Sequence, residues 1–144
     1  MTKITITSGK RKRAVARATL RAGKGVVRVN NKPLALIQPK MLQLRLQEPL
    51  LLAEKLAEGI DIDVHVIGGG ATGQADAARL AIARGLVAFT NNTALKNTFL
   101  EYDRQLLVAD VRRKEQAKPN SHGQARAKVQ KSYRCKYDYS NSML

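Results

Sequence analysis

At 144 residues the chain has room for one domain of about 100 residues with extensions, enough to bury a sizeable core. Its formal net charge of +15 and pI near 10.5 exceed what solubility requires and point to a polyanionic partner, most simply nucleic acid. A single cysteine, Cys135, excludes an internal disulfide, two histidines, His65 and His122, leave no metal-ligand spacing, and no apolar run exceeds four residues, far short of a membrane span.

The first residues, MTKITITSGKRKR, also lack the apolar stretch of a signal peptide, so a soluble, intracellular, cytoplasmic protein is expected. Residues 1–30 hold nine Lys or Arg and no acid, and residues 104–134 hold nine against two acids. Residues 31–103 hold seven against eight acids. The excess is thus confined to two blocks flanking a neutral body.

In chain order, Ile4 and Ile6 alternate with polar residues and predict a short strand. Lys10, Arg11, Lys12 and Arg13 are consecutive cations with no acid nearby, which favours a phosphate contact over a solvated turn. From Ala14 to Leu20 the alternation is strict. Ala14, Ala16, Ala18 and Leu20 share one face, while Val15, Arg17, Thr19 and Arg21 share the other, giving a half-buried strand with cations on its open side. Gly23-Lys24-Gly25 turns the chain into Val26–Val29, which carries Arg28, most simply as an antiparallel hairpin. Asn30-Asn31 marks another turn, since asparagine tolerates positive φ, and Pro33 to Ile37 reads as a short return strand.

Lys40 to Ala57 is predicted helical, with Leu42, Leu46, Leu50, Ala53 and Leu56/Ala57 on one stripe, and Pro49 should kink or divide it. Gly59 ends the element. Ile60 to Ile67 is the clearest strand, with Ile60, Ile62, Val64 and Val66 facing the core and His65 on the opposite face, a surface histidine rather than a base. A helix from Gly73 to Phe89 places Ala75, Ala78, Ile82, Leu86 and Phe89 towards the sheet, and its other small residues admit a closely packed neighbour. A further helix follows, with Thr93 as N-cap and Leu95, Phe99 and Tyr102 inward; Leu106 to Ala109 then pairs or packs before the C-terminal arm leaves.

Gly68-Gly69-Gly70-Ala71-Thr72-Gly73 satisfies G-x-G-x-x-G between a strand and a helix, as a dinucleotide fingerprint does. The acid that fingerprint needs about 20 residues further on is missing, and the strand follows a hairpin and a helix instead of opening a βαβ repeat. The physical content survives: Gly69 and Gly70 permit close backbone approach, and amides at the helix start, next to Gln74, favour a phosphate. No Ser/His/Asp or Cys/His set can be assembled, so no catalytic reading, cofactor or small-molecule substrate is expected.

The arm, Asp110 to Arg134, carries eight Lys or Arg against two acids and few large apolar side chains. Such a segment cannot offset the entropy of ordering its backbone and is expected to gain structure only beside a polyanion. Arg112, Arg113, Arg126 and Arg134 should matter more than neighbouring lysines, because the guanidinium presents a planar fork to phosphate. Tyr133 is expected either to stack on a base or ribose or to be a loosely packed aromatic.

Six stretches together resemble one family, small-subunit ribosomal protein nine in its archaeal form. They are GKRKRAVARATLRAG (9–23), VRVNNKPL (27–34), EPL (48–50), DIDVHVIGGGATGQADAARLAIARGL (61–86), YDRQLLVADVRRKE (102–115) and ARAKVQKSYR (125–134). The resemblance covers residues 3–134 and implies an α/β (α+β) two-layer sandwich. That sandwich has a four-stranded sheet with helices on one face, a left-handed βαβ crossover and a long basic C-terminal tail. It implies three regions: a globular rRNA-binding body (1–109), an extended basic arm (110–134) and an atypical extension (135–144).

By the resemblance, rRNA of the subunit head is bound by Lys10, Arg11, Lys12, Arg13, Arg17, Arg28, Gly69, Gly70, Gln74, Arg112, Arg113, Lys114 and Lys118. The tail residues Arg126, Lys128, Lys131, Ser132, Tyr133 and Arg134 reach the anticodon stem of peptidyl-site tRNA. Neighbouring head proteins complete the implied partners of a ribosome-bound, non-enzymatic protein. Two departures stand out: the chain continues past Arg134 with CKYDYSNSML, and Asn120-Ser121-His122 and Val129 thin the charge of the arm. The rival readings are a nucleotide-dependent RNA-processing factor using the Gly68–Gly73 loop, or a basic chaperone or DNA-compacting protein outside the ribosome.

Overall fold

In the computed structural model, which describes residues 3–119 and 123–126, the most apolar strand takes the centre of the sheet. Strands β1 (Ile4–Arg11), β2 (Ala14–Ala22), β3 (Val27–Val29), β4 (Lys32–Pro33) and β5 (Ile60–Ile67) form one sheet in the order β1-β2-β5-β3-β4. The described residues fall into two units divided between Arg113 and Lys114, the first of them compact around the sheet.

The sheet has five strands, one more than the four expected. Lys32 and Pro33 pair with Val29 and Arg28 across a turn in which Asn30 and Asn31 both adopt positive φ, 49° and 65°. The return strand stops there, and Leu34–Leu36 is a 3₁₀ turn instead of more strand.

The expected hairpin between β2 and β3 does not form, because β5 lies between them. It runs antiparallel to β2, with Ala18 opposite Val64, and parallel to β3, with Val27 opposite Ile62. The reason is burial. Ile60, Ile62, Val64 and Val66 are all nearly inaccessible, so β5 gains most from neighbours on both edges. The Gly23–Gly25 loop must then cross the start of β5, and Asp61 holds it there: its Oδ1 accepts the amides of Lys24 (2.8 Å) and Val26 (3.0 Å).

Helix α1 (Lys40–Ala53) continues through Pro49 instead of dividing there, and the break comes at Glu54, whose φ is 43°. Pro49 gives up one intrahelical bond, but its ring is fully buried in the core, which offsets part of that loss. A short α2 (Lys55–Glu58) leads into β5. Helix α3 (Ala71–Thr90) is buried on almost every side, including Ala75, Ala77, Ala78, Leu80, Ala81, Ile82, Ala83, Gly85 and Leu86. It lies against β1 and β2 on one side and against α1 on the other, so its small residues serve two interfaces.

Asn91 ends α3 in the left-handed region, and the side chain of Asn92, not Thr93, caps α4 (Thr93–Tyr102) by accepting the Ala94 amide at 2.9 Å. Leu95 and Phe99 point inward as expected, whereas Tyr102 is 58% exposed. Leu106, fully buried, closes the core. None of the described helices is long and apolar enough to cross a membrane.

Candidate nucleic-acid interface

Sheet alternation divides the cations of the body into two groups. On β2, Ala14, Ala16, Ala18 and Leu20 face the helices, so Arg17 and Arg21 project from the opposite, uncovered face. Register then sets their neighbours. Ser8, Arg17 and His65 lie side by side across three strands, and Ile6, Thr19, Asp63 and Arg28 across four. Lys10, Arg17 and Arg28 are exposed there. Arg17, Arg28, Asn31, Asp63 and His65 contribute to a shallow cavity of about 240 Å³. Ile6, 70% exposed, adds an apolar patch to the same face.

At the far end of β2 the basic turn meets the glycine loop. Gly68 and Gly69 have φ of 74° and 72°, and a Cβ on them would lie 2.8 Å from the Arg13 carbonyl oxygen and 2.9 Å from the Ala14 nitrogen. Only glycine fits, so the loop packs backbone to backbone on the turn that presents Lys12 and Arg13, both exposed. Gly70 is the N-cap of α3 without a side-chain cap, which leaves first-turn amides without intrahelical partners. Gln74 Nε2 donates back to the Gly68 carbonyl at 3.1 Å and steadies the loop. A Cβ on Gly70, by contrast, would meet nothing within 4 Å. The strand before this loop is antiparallel to β2, and among the described residues no strand follows α3. The dinucleotide-binding topology is therefore absent from this part of the chain.

Arg11 belongs to the other group. One residue on from Lys10, it points to the helix side, with its side chain 20% exposed. There its guanidinium pairs with Asp110 and lies 3.7 Å from Asp76, which Arg45 also engages at 2.7 Å. Asp110 in turn accepts from Arg112, through Nε at 3.1 Å and Nη2 at 2.9 Å and through the backbone amide at 2.8 Å. These bonds from Arg112, with the charge of Arg11 added, hold the Asp110 carboxyl well below the usual carboxylate range. The root of the arm is thus fastened to the body by an ionic cluster that draws on Arg11, Arg45, Asp76, Asp110 and Arg112.

The only sequence signal for Asp110 in this role is that it is the sole acid between Asp103 and Glu115. Arg84 has no sequence signal at all: it donates to the carbonyls of Leu107 (2.9 Å) and Ser8 (3.0 Å), joining β1 to the segment before the arm. Arg79 bridges Glu48 at 2.6 Å and Asp103 at 3.0 Å.

Arg113 is exposed at the end of the first unit. In the second, Lys114 and Lys118 are exposed, while Arg126 is turned onto Glu115 through Nε at 2.8 Å and a further bond from Nη2. That pairing lowers the Glu115 carboxyl below its ordinary range. Lys128, Lys131, Ser132, Tyr133 and Arg134 lie outside the described residues.

The whole defines a small, basic α/β protein whose exposed body cations lie on an open sheet face and at a loop–helix corner. Residues 9–134 match the family described as ribosomal protein S9/S16. Among curated relatives, "Small ribosomal subunit protein uS9" of Methanothrix thermoacetophila is 50% identical over 132 residues, 92% of this chain and 99% of that protein. The proteins of the same name in Thermoplasma volcanium and Thermoplasma acidophilum are each 54% identical over 129 residues, 90% of this chain, and are covered to 97% and 99%. The chain belongs to the ribosomal protein S9/S16 family, and its curated relatives are proteins of the small ribosomal subunit. Residues 135–144 follow the matched region.

Proposed function

We propose that this chain is a structural component of the small ribosomal subunit, binding rRNA of the subunit head through its body and reaching the anticodon stem of peptidyl-site tRNA with its arm. The observation that carries the reading is the uncovered cationic sheet face with Lys10, Arg17 and Arg28, continuous in sequence with the Lys12–Arg13 turn that packs on the glycine loop. Cations spaced along a surface neutralise phosphates and release counterions, which gives affinity without base reading. Arg113, Lys114 and Lys118 extend the charge along the arm. Within the tail, Arg126, Lys128, Lys131 and Arg134 supply charge, and Ser132 and Tyr133 offer a hydroxyl and a stacking surface towards tRNA. The same family reading gives the crossover from β3 through α1 to β5 a left hand, against the usual rule; an experimental structure with a right-handed crossover would overturn that part.

Sedimentation of small subunits after a high-salt wash tests the assembly. Stoichiometric retention supports the reading, and loss of the chain from the particles refutes it. Deleting residues 126–144 separates the two roles. Incorporation should persist while peptidyl-site tRNA binding weakens; lost incorporation with normal tRNA affinity in the surviving particles would overturn the division. At the loop, Gly70→Trp has room in the isolated fold. A folded variant that enters subunits normally would remove Gly70 from the interface.

A further inference from the structure

One surface of the body reverses the sign of the rest. A groove of about 700 Å³ opens between the β3–β4 edge and the outer side of α1 and α2, walled by Val26, Val27, Leu34, Leu50, Leu51 and Ala57. Leu51 is 70% exposed and Val26 41%, although each continues an apolar wall. Among the described residues no lysine or arginine lines the groove, in a chain whose net charge is +15. Glu54 and Glu58 do line it.

Most carboxylates in the described residues are already engaged. Glu48, Asp63, Asp76, Asp103, Asp110 and Glu115 lie within ion-pair distance of arginines, and Asp61 accepts backbone amides. Among the described residues, neither Glu54 nor Glu58 has an ion-pair partner. A phosphate backbone would be repelled by these two carboxylates and would find no cation to replace its counterions. Leaving Leu51 and Val26 in water, meanwhile, forgoes burial worth about 25 cal/mol per Å² of apolar surface.

We propose that this groove docks a segment of another protein, one with apolar side chains flanked by lysine or arginine. The apolar residues would fill the space between Val26 and Leu51, and the flanking cations would meet Glu54 and Glu58. The proposal rests on the reading of the chain as a subunit component, and it assigns protein contacts to the groove while the open sheet face takes RNA.

The test uses the full chain assembled into small subunits, with a photoreactive benzoylphenylalanine at position 51 or, separately, at position 17. Irradiation followed by digestion and mass spectrometry identifies what each position touches. From position 51 the expected adduct is a peptide of another subunit protein with Lys or Arg beside apolar residues; from position 17 it is an rRNA nucleotide. Adducts from position 51 to rRNA, to acidic peptides or to nothing overturn the proposal. In the presence of the position-51 probe, the charge reversals Glu54→Lys and Glu58→Lys should cut the peptide adduct several-fold, and an unchanged yield overturns the ionic half of the recognition. Failure of the chain without a probe to enter subunits at all would refute the assembly reading and the groove assignment together, which distinguishes it from failure of the groove alone.

Discussion

Asp110 shows how one side chain can set the behaviour of a basic protein at low pH. Its folded pKa is depressed, first by the hydrogen bonds from Arg112 and then by the charge of Arg11. A depressed carboxylate adds stability wherever the unfolded group is ionised, above about pH 4, and that contribution disappears as pH falls towards the folded value. Asp61, lowered by the amides of Val26 and Lys24, acts in the same direction. Thermal unfolding followed by circular dichroism should therefore show stability falling steadily below about pH 4, and Asp110→Asn should flatten that dependence while lowering stability at neutral pH. Identical pH profiles for wild type and variant would show that the cluster contributes nothing. Glycines give a second contrast. A Cβ on Gly9 would lie 2.1 Å from the backbone oxygen of Ala77, whereas one on Gly85 meets chiefly the methyl ends of Leu20, at 2.3 and 3.0 Å. Backbone cannot rotate aside, so Gly9→Ala should cost at least about 1–3 kcal/mol. In Gly85→Ala the gain in helix propensity, about 1 kcal/mol, should offset much of the crowding. Denaturant melts of the two variants decide it, and equal losses would contradict the distinction.

Between α3 and α4 the whole connection is two asparagines with opposite duties. Asn91 stops one helix by adopting φ of 51°, and Asn92 starts the next by capping it. Asn92→Ala should cost about 1 kcal/mol through the uncapped Ala94 amide. Asn91→Gly should be neutral or slightly stabilising, since glycine takes the left-handed region without a Cβ penalty. Equilibrium unfolding checks both, and a loss at Asn91→Gly as large as at Asn92→Ala would sink the division. The same helices show where local signals mislead. Pro49 looks like a breaker, yet it sits inside α1, because a fully buried proline ring packs the core while Glu54 takes the break. Tyr102 fits the inward stripe with Leu95 and Phe99 but falls in the last turn, beyond the reach of the core.

For the molecule as a whole, the consequence of sorting its cations is two kinds of basic residue with different signatures. Lys10, Arg17 and Arg28 are exposed on the open face, so replacing all three with glutamine should leave the melting temperature nearly unchanged. It should weaken rRNA binding and reduce the slope of log affinity against log salt by about 2–3, at roughly 0.7–0.9 for each phosphate no longer neutralised. Arg11→Gln should do the reverse, lowering the melting temperature with little change in salt slope, because its charge is spent on Asp110 and Asp76. Filter binding across a salt series, paired with thermal melts, separates them; a matching salt slope in both variants would defeat the assignment.

By itself the sequence determined what depends on near neighbours. The alternation in Ala14–Leu20 and Ile60–Val66 settled which side chains are buried and hence that Arg17 and His65 stand on the outside face. The two basic blocks and the glycine loop were equally legible, because charge and backbone freedom are carried by the residues themselves. Tertiary structure alone decided what depends on distant partners. It placed β5 between β2 and β3, since the gain from burying both edges of an Ile/Val strand exceeds that of a local hairpin. It turned Arg11 inward to an aspartate 99 residues away while its neighbour Lys10 stayed outside, a division that period-2 geometry permits but cannot announce without the partner. And it set Glu54 and Glu58 beside an apolar groove, with no ion-pair partner among the described residues, which no count of charges along the chain could have revealed.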